Sequence, residues 1–202
     1  MDNQFLCPRC WGHKSDPSDT RDCTYCNPCS YCIGQGTITD IQLSENFKLS
    51  ELLSSQTAVR LSIPNDPAPE VLQSLTNVAV TLLEPIRKAL GPLHIDSGYR
   101  SVDLNKAIGG VSTSAHCLGK AADIVPKAPG ITRKHVADWA ISNIKEFDQI
   151  IFEGTWIHIA HNAKKEYELS GHVSFKPDRR QVLMMFKGRY FEYDPNDPRV
   201  ST

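Results

Sequence analysis

Apolar residues recur with a helical period across residues 69–90, the clearest element that the sequence predicts. Their spacing of three and four residues places them on one face of an α-helix. Pro69 suits the first turn of such a helix, Gly91 suits its end, and Pro85 predicts a kink inside it. The apolar stripe consists of Leu72, Leu75, Val78, Leu82, Ile86 and Leu90.

Shorter apolar segments predict strands, and one further segment predicts a second helix. That helix runs from Thr132, as its N-cap, to about Asn143. Residues 181–186 and 189–193 flank a Lys-Gly turn and predict a terminal hairpin. The other predicted strands are residues 93–96, 120–125, 147–152 and 156–160. Helices and strands mixed in this way indicate an α+β fold.

Length, composition and charge favour one main domain with a small appendage. The chain has 202 residues, of which 40% are hydrophobic, enough to supply a core. A formal net charge of −1 argues against a general binder of polyanions, so nucleic acid is not an expected partner. No stretch is apolar enough to predict a transmembrane helix. The N-terminal residues lack the basic and apolar regions of a signal peptide, which predicts synthesis in the cytoplasm.

Six of the seven cysteines lie close to the N-terminus, in three Cys-x-x-Cys pairs. The first, middle and last pairs are Cys7 and Cys10, Cys23 and Cys26, and Cys29 and Cys32. Without a signal peptide, this density favours zinc over disulfides. We therefore expect residues 1–38 to form a cysteine-rich zinc-binding module with at least one structural zinc. Residues 39–202 would form the main domain.

The last pair continues as Cys-x-x-Cys-x-Gly-x-Gly over residues 29–36, a knuckle that resembles the cysteine-rich module of J-domain co-chaperones. The resemblance implies that the first and last pairs share one zinc. The 12-residue gap between the first and middle pairs suits those two pairs equally well. Two zinc ions that share six thiolates, or that recruit His13, are a further alternative. Such a module would be folded by its metal.

Two segments of the main domain contain candidate ligands for a different kind of metal site. Residues 114–123 follow the pattern Ser-x-His-x-x-Gly-x-Ala-x-Asp, and residues 156–160 place a histidine between two isoleucines. Strand alternation turns Asp123 and His158 away from their apolar neighbours, so two adjacent strands would bring them together with His116. Two imidazoles and one carboxylate leave one position of a tetrahedral zinc open, as in catalytic sites.

The chain resembles the superfamily of zinc D-Ala-D-Ala carboxypeptidases and Hedgehog-type peptidases, from about residue 47 to residue 160. It is most similar to a branch common in bacteriophages that acts on peptidoglycan. The matching motifs lie at residues 47–52, 83–87, 97–101, 104–105, 109–110, 116–123, 147–151 and 156–158, with residues 180–183 beyond them. The resemblance implies an antiparallel sheet with flanking helices and one catalytic zinc. It also implies cleavage of a D-amino-acid-containing bond in peptidoglycan stem peptides or cross-links. Carboxypeptidase and endopeptidase action both stay open.

Three further residues gain roles from this resemblance. Arg100 occupies the position of an arginine that holds a substrate carboxylate or polarises the scissile carbonyl. Ser114 would hydrogen-bond the substrate or orient its loop. Glu153 is the best candidate for the general base, although related peptidases usually place an acidic residue three positions before the last histidine, where this chain has Thr155. Hedgehog-like members place a glutamate further upstream, as here.

A protein from another class would explain some of the same features. A phage tail or baseplate component could use this fold and its zinc for assembly or wall binding, with other virion proteins as partners. For either class, we expect the protein to reach the cell wall after lysis or as part of a virion. Residues 162–178 look like an insertion relative to the superfamily, and their sequence predicts no role.

Overall fold

The computed structural model describes residues 40–161 and 179–200, which form an α+β domain. Its helices are α1 (Leu49–Leu53), α2 (Gln56–Leu61), α3 (Pro69–Val78), α4 (Glu84–Leu90), α5 (Val102–Ala107) and α6 (Arg133–Asn143). Its strands are β1 (Leu93–Ser97), β2 (Ala121–Pro126), β3 (Gln149–Phe152), β4 (Ile157–Ala160), β5 (Gln181–Phe186) and β6 (Arg189–Glu192). A π-helical segment, Ala79–Leu83, joins α3 to α4, and 3₁₀ turns lie at Ala115–Leu118 and Pro198–Val200. The cysteine-rich module and residues 162–178 lie outside the described residues.

The six strands form one sheet in the order β1-β2-β4-β3-β5-β6. The prediction of an antiparallel sheet is wrong at one pair, because β3 and β5 run parallel while the other four pairs are antiparallel. Ala160 at the end of β4 and Gln181 at the start of β5 both pair with Gln149. The chain therefore leaves β4 and enters β5 at the same end of the sheet's strands. As a result, β5 runs antiparallel to β4 and parallel to β3, which lies between them.

The long predicted helix is present, but it is not a regular α-helix throughout. It begins at Pro69 and ends at Gly91, whose φ of 88° suits glycine. The π-helical segment precedes Pro85, and the Glu84 N–H donates to the carbonyl of Ala79, five residues back. Pro85 has no N–H to donate, so the wider turn places the irregularity just before the proline rather than at it.

The remaining predicted elements are confirmed to within about two residues. Thr132 caps α6 by accepting a hydrogen bond from the His135 N–H. In the terminal hairpin, Lys187 and Gly188 have φ values of 50° and 73°, the positive pair that a two-residue turn requires. No helix among the described residues has both the length and the apolar character needed to cross a membrane.

One face of the sheet packs against α3 and α6, with α4 packed on α6, to form the core, and the opposite face lies open above the central strands. The fully buried residues on the packed side of the sheet are Ala122, Ile124, Ile150, Ile157 and Ile159. Because strand residues alternate between faces, their neighbours point to the open face. The candidate site lies on that open face.

Candidate metal centre

The open face brings together the three predicted metal ligands, which come from two strands and a loop. Asp123 on β2 and His158 on β4 are directly paired across the strands, and His116 comes from the 3₁₀ turn Ala115–Leu118. One ligand atom from each side chain lies within 4.8 Å of the others. His158 Nδ1 is 2.8 Å from Asp123 Oδ1, and His116 Nε2 is 3.2 Å from each of those two atoms.

Strand alternation places two of the ligands, as the sequence predicts. On β2 the neighbours of Asp123 are fully buried in the core, and on β4 the two isoleucines beside His158 are equally buried. Burial of these four apolar side chains fixes the register, since a shift by one residue would turn both ligands into the core. The alternation and the adjacency of the two strands are confirmed.

The third ligand depends on two glycines that allow close backbone approaches. Gly119 ends the turn that carries His116, with a φ of 63°, and a Cβ there would lie 2.6 Å from Val71 Cγ1. Gly98 packs so closely on α1 that a Cβ would lie 2.3 Å from the carbonyl oxygen of Leu52. The Gly98 carbonyl accepts a hydrogen bond from His116 Nδ1 at 2.6 Å, so Nε2 is free of its proton and faces the other ligands.

The three side chains fit a tetrahedral zinc ion by geometry and by chemistry. Nitrogen and oxygen ligands at about 2.0–2.1 Å from such an ion lie about 3.3 Å from one another, close to the separations found here. Two neutral imidazoles and a carboxylate are a common ligand set for zinc, and a backbone carbonyl behind a histidine is its usual support. Three protein ligands leave the fourth position open toward solvent.

Burial and hydrogen bonding also favour the ionisation states that a metal needs. Burial lowers the pKa of His116, which keeps its ring neutral at physiological pH. Burial alone would raise the pKa of Asp123, but the close contacts with His116 and His158 outweigh it and hold the pKa well below its usual range. An ionised Asp123 beside a neutral His116 is the state that binds a cation.

Arg100 lies behind the metal ligands, against Asp123. Its Nη2 is 2.6 Å from Asp123 Oδ2, and its Nε donates to Ser97 Oγ at 2.8 Å. The guanidinium therefore donates a hydrogen bond to the carboxylate oxygen that does not face the histidines. With 18% of its side chain exposed, Arg100 also borders the open cleft described next. The predicted contact of Arg100 with substrate stays a prediction.

A cleft of about 700 Å³, here called the main cleft, opens in front of the three ligands. Ile151 of β3 forms part of its floor, and Ser114 stands at its edge just before the 3₁₀ turn. The predicted base Glu153 lines it as well, from the turn between β3 and β4. Thr155, at the position where relatives carry an acidic residue, is exposed and is not among the residues that line it.

Glu153 has the electrostatic setting of a general base. Burial raises the pKa of its carboxyl group above the ordinary value of a glutamate, and the negative charge of Asp123 raises it further. A raised pKa makes the carboxylate a better proton acceptor near neutral pH. The arrangement is compatible with the predicted role, which stays a prediction.

The sequence-based prediction missed several polar residues of the main cleft, and Tyr190 is one of them. Tyr190 on β6 lines the cleft, with 57% of the residue exposed. Burial raises the pKa of its phenol, and the charges of Glu153 and Asp123 add to that rise, so the hydroxyl stays protonated and can donate a hydrogen bond. The alternation of the hairpin assigns Tyr190 a face, but only the sheet order shows that this face borders the metal centre.

Comparison with known protein families agrees with this geometry. A family model described as Peptidase M15 matches residues 45–160, more than half of the 202-residue chain and all three ligands. No curated protein matches the sequence. The chain belongs to the M15 peptidases, a family of metallopeptidases that use zinc. The resemblance to the zinc D-Ala-D-Ala carboxypeptidase superfamily is thereby confirmed, and the protein belongs to a family of hydrolases.

Proposed function

We propose that this protein is a zinc-dependent peptidase that hydrolyses peptide bonds of peptidoglycan, at a bond that involves a D-amino acid. The observation that carries the proposal is the convergence of His116, Asp123 and His158 on one point in front of an open cleft. Membership of the M15 family supports the reaction type. The substrate class is supported by the sequence resemblance to peptidoglycan peptidases.

His116, Asp123 and His158 would hold the metal in this mechanism. Zinc bound there supplies a Lewis acid that activates water and polarises the scissile carbonyl. Glu153 accepts the proton from the attacking water and then delivers it to the leaving amine. Its raised pKa suits both transfers, because the group must take up and release a proton within one turnover.

Arg100 and the cleft walls would orient the substrate. Nε and Nη2 of Arg100 are engaged by Ser97 and Asp123, but a guanidinium has five N–H groups, so donors remain for a substrate oxygen. Ser114 and Tyr190 stand on the wall of the main cleft with hydroxyl groups suited to peptide carbonyls. We assign substrate binding to these three side chains.

The cysteine-rich module completes the proposal, although it lies outside the described residues. We propose that it binds at least one structural zinc through Cys7, Cys10, Cys29 and Cys32, with Cys23 and Cys26 as alternative or additional ligands. The spacing of the cysteine pairs supports this assignment. We also propose a bacteriophage origin and action at the cell wall, after lysis or within a virion. The support is the resemblance to the phage branch of the superfamily.

Digestion of isolated peptidoglycan tests the proposed function. Zinc-loaded protein should release fragments whose masses identify the bond cut, and His116→Ala and Asp123→Ala should release none. His135→Ala is the matched control, because this exposed histidine caps α6 away from the cleft. If zinc-loaded wild type left walls of several chemical types uncut, while the ligand variants impaired virion assembly, the structural role would replace the enzyme.

A further inference from the structure

A second cleft lies over β1, on the other side of the metal centre from the main cleft. This β1 cleft has a volume of about 370 Å³. The side chains that distinguish it from the main cleft include Gln56 and Thr57 of α2 and His94 and Asp96 of β1. It is therefore a polar cavity beside the site, and it has no role in the mechanism given above.

The order of the strands places the metal centre between the two clefts. Strand β1 is the neighbour of β2, which carries Asp123, and the main cleft extends the other way over β4 and β3. Four residues line both clefts, so the two cavities meet beside Asp123. These shared residues are Arg100, Ile108, Asp123 and Trp156. An extended peptide that crosses the strands would fill both clefts with its scissile bond at the centre.

The charges in the β1 cleft do not suit a free carboxylate. His94 and Asp96 are exposed because their neighbours on β1, Leu93 and Ile95, are packed into the core. Asp96 makes no side-chain hydrogen bond or ion pair within the described part of the chain. Among the residues that line this cleft, the one lysine or arginine is Arg100, which stands where the two clefts meet and has Nε and Nη2 engaged by Ser97 and Asp123. A terminal carboxylate here would face an unpaired negative charge.

We infer that the β1 cleft is a second substrate subsite and that the enzyme is an endopeptidase, with peptide bound on both sides of the bond it cuts. A carboxypeptidase that placed a terminal carboxylate in this cleft would need a cation deep within it, and the cleft has Arg100 only at its boundary with the main cleft. In the reaction one water is consumed: the C–N bond breaks, the hydroxyl joins the carbonyl carbon, and a proton joins the leaving amine. The inference rests on the proposed hydrolysis at this centre.

Matched peptides distinguish the two modes of cleavage. We would compare a stem peptide ending in D-Ala-D-Ala with a free carboxylate against the same peptide with a terminal amide. The inference predicts the same internal cut in both, with similar kcat/KM. If only the free acid were cut, with release of its last residue, the inference would be overturned while the peptidase function stood. Wild type could also cut isolated peptidoglycan but neither of these peptides. In that case longer peptides, with residues added on both sides, should be cut. If the longer peptides stayed intact, the inference would also be overturned.

Substitution at Asp96 tests the β1 cleft itself. Asp96→Lys should shift the preference between charged and neutral ends of the substrate by about two- to fivefold, as expected for a partly exposed charge pair. The change should affect one end of the peptide only, the end that this cleft holds. Asp103→Lys is the matched control, since Asp103 is an exposed residue of α5 that lines neither cleft.

Binding gives a readout that is independent of turnover. Calorimetry with the two product fragments should show that Asp96→Lys changes the affinity of one fragment by a similar factor and that Asp103→Lys changes neither. Unchanged affinities for both fragments in Asp96→Lys, together with unchanged end preference, would overturn the assignment of the β1 cleft. If zinc-loaded wild type digested no cell wall at all, that result would instead contradict the proposed function.

Discussion

Arg100 and the two histidines hold opposite oxygens of the Asp123 carboxylate. Nη2 of Arg100 lies 2.6 Å from Oδ2, while His158 Nδ1 lies 2.8 Å from Oδ1. The guanidinium thus fixes the rotation of the carboxylate and leaves one oxygen for a metal. Positioning of this kind by a group behind the ligand is a common determinant of metal affinity.

Replacement of Arg100 by lysine should therefore weaken metal binding. Arg100→Lys keeps the charge but loses the planar fork, and we expect metal affinity at this site to fall on the order of 10- to 100-fold. Titration with cobalt measures this affinity. Thiolate and imidazole ligands give cobalt different absorption bands, so binding at this site can be separated from binding at the cysteine-rich module. Arg179→Lys is the control, since Arg179 forms a similar pair with Asp148, a carboxylate of the main cleft that is not one of the three ligands. Equal affinities in wild type and Arg100→Lys would contradict the positioning role.

Gly119 should be intolerant of any side chain. Gly119→Ala adds the strain of a positive φ to a clash with Val71, and we expect a loss of about 2–4 kcal/mol in the free energy of unfolding. Gly130→Ala is the matched control, because Gly130 has a φ of 78° but open space where its Cβ would lie. We expect it to cost only about 1–2 kcal/mol. Denaturant titration compares the two, and equal losses would show that the contact with Val71 is unimportant.

Glu153→Gln should separate catalysis from metal binding. The variant keeps the size of the side chain but cannot accept a proton, so turnover should fall on the order of 10²- to 10⁴-fold while bound zinc is unchanged. Thr155→Ala serves as the control for the neighbouring position and should be nearly as active as wild type, since Thr155 is not among the residues that line the main cleft. Near-normal turnover by Glu153→Gln would assign the base to another group.

The pH dependence of the reaction should reflect the same residue. Glu153 must be ionised to accept a proton, and its pKa is raised, mainly by burial. Activity should therefore fall as the pH drops through a value above the usual range of glutamate. A profile of kcat/KM against pH measures this limb, which should be absent from the residual activity of Glu153→Gln. An unchanged acid limb in that variant would assign the ionisation to a different residue.

Parts of this fold follow from short-range sequence patterns, and other parts do not. Asp123 and His158 could be placed because a strand alternates with a period of two and their neighbours are strongly apolar. His116 lies in a 3₁₀ turn, which has no such period, so only the spacing of its motif identifies it. The parallel pairing of β5 and the approach of Tyr190 depend on where the chain re-enters the sheet. That position is set by contacts distant in sequence, which local patterns do not encode.

The central claim is that the three ligands form a zinc site that hydrolyses peptide bonds. Its most direct test is cleavage of isolated peptidoglycan by protein stripped of metal with a chelator and then titrated with zinc. We predict that cleavage disappears on stripping and returns as zinc fills the site, in wild type but not in His158→Ala. Full cleavage by metal-free protein, or none by protein confirmed to be zinc-loaded, would contradict the claim.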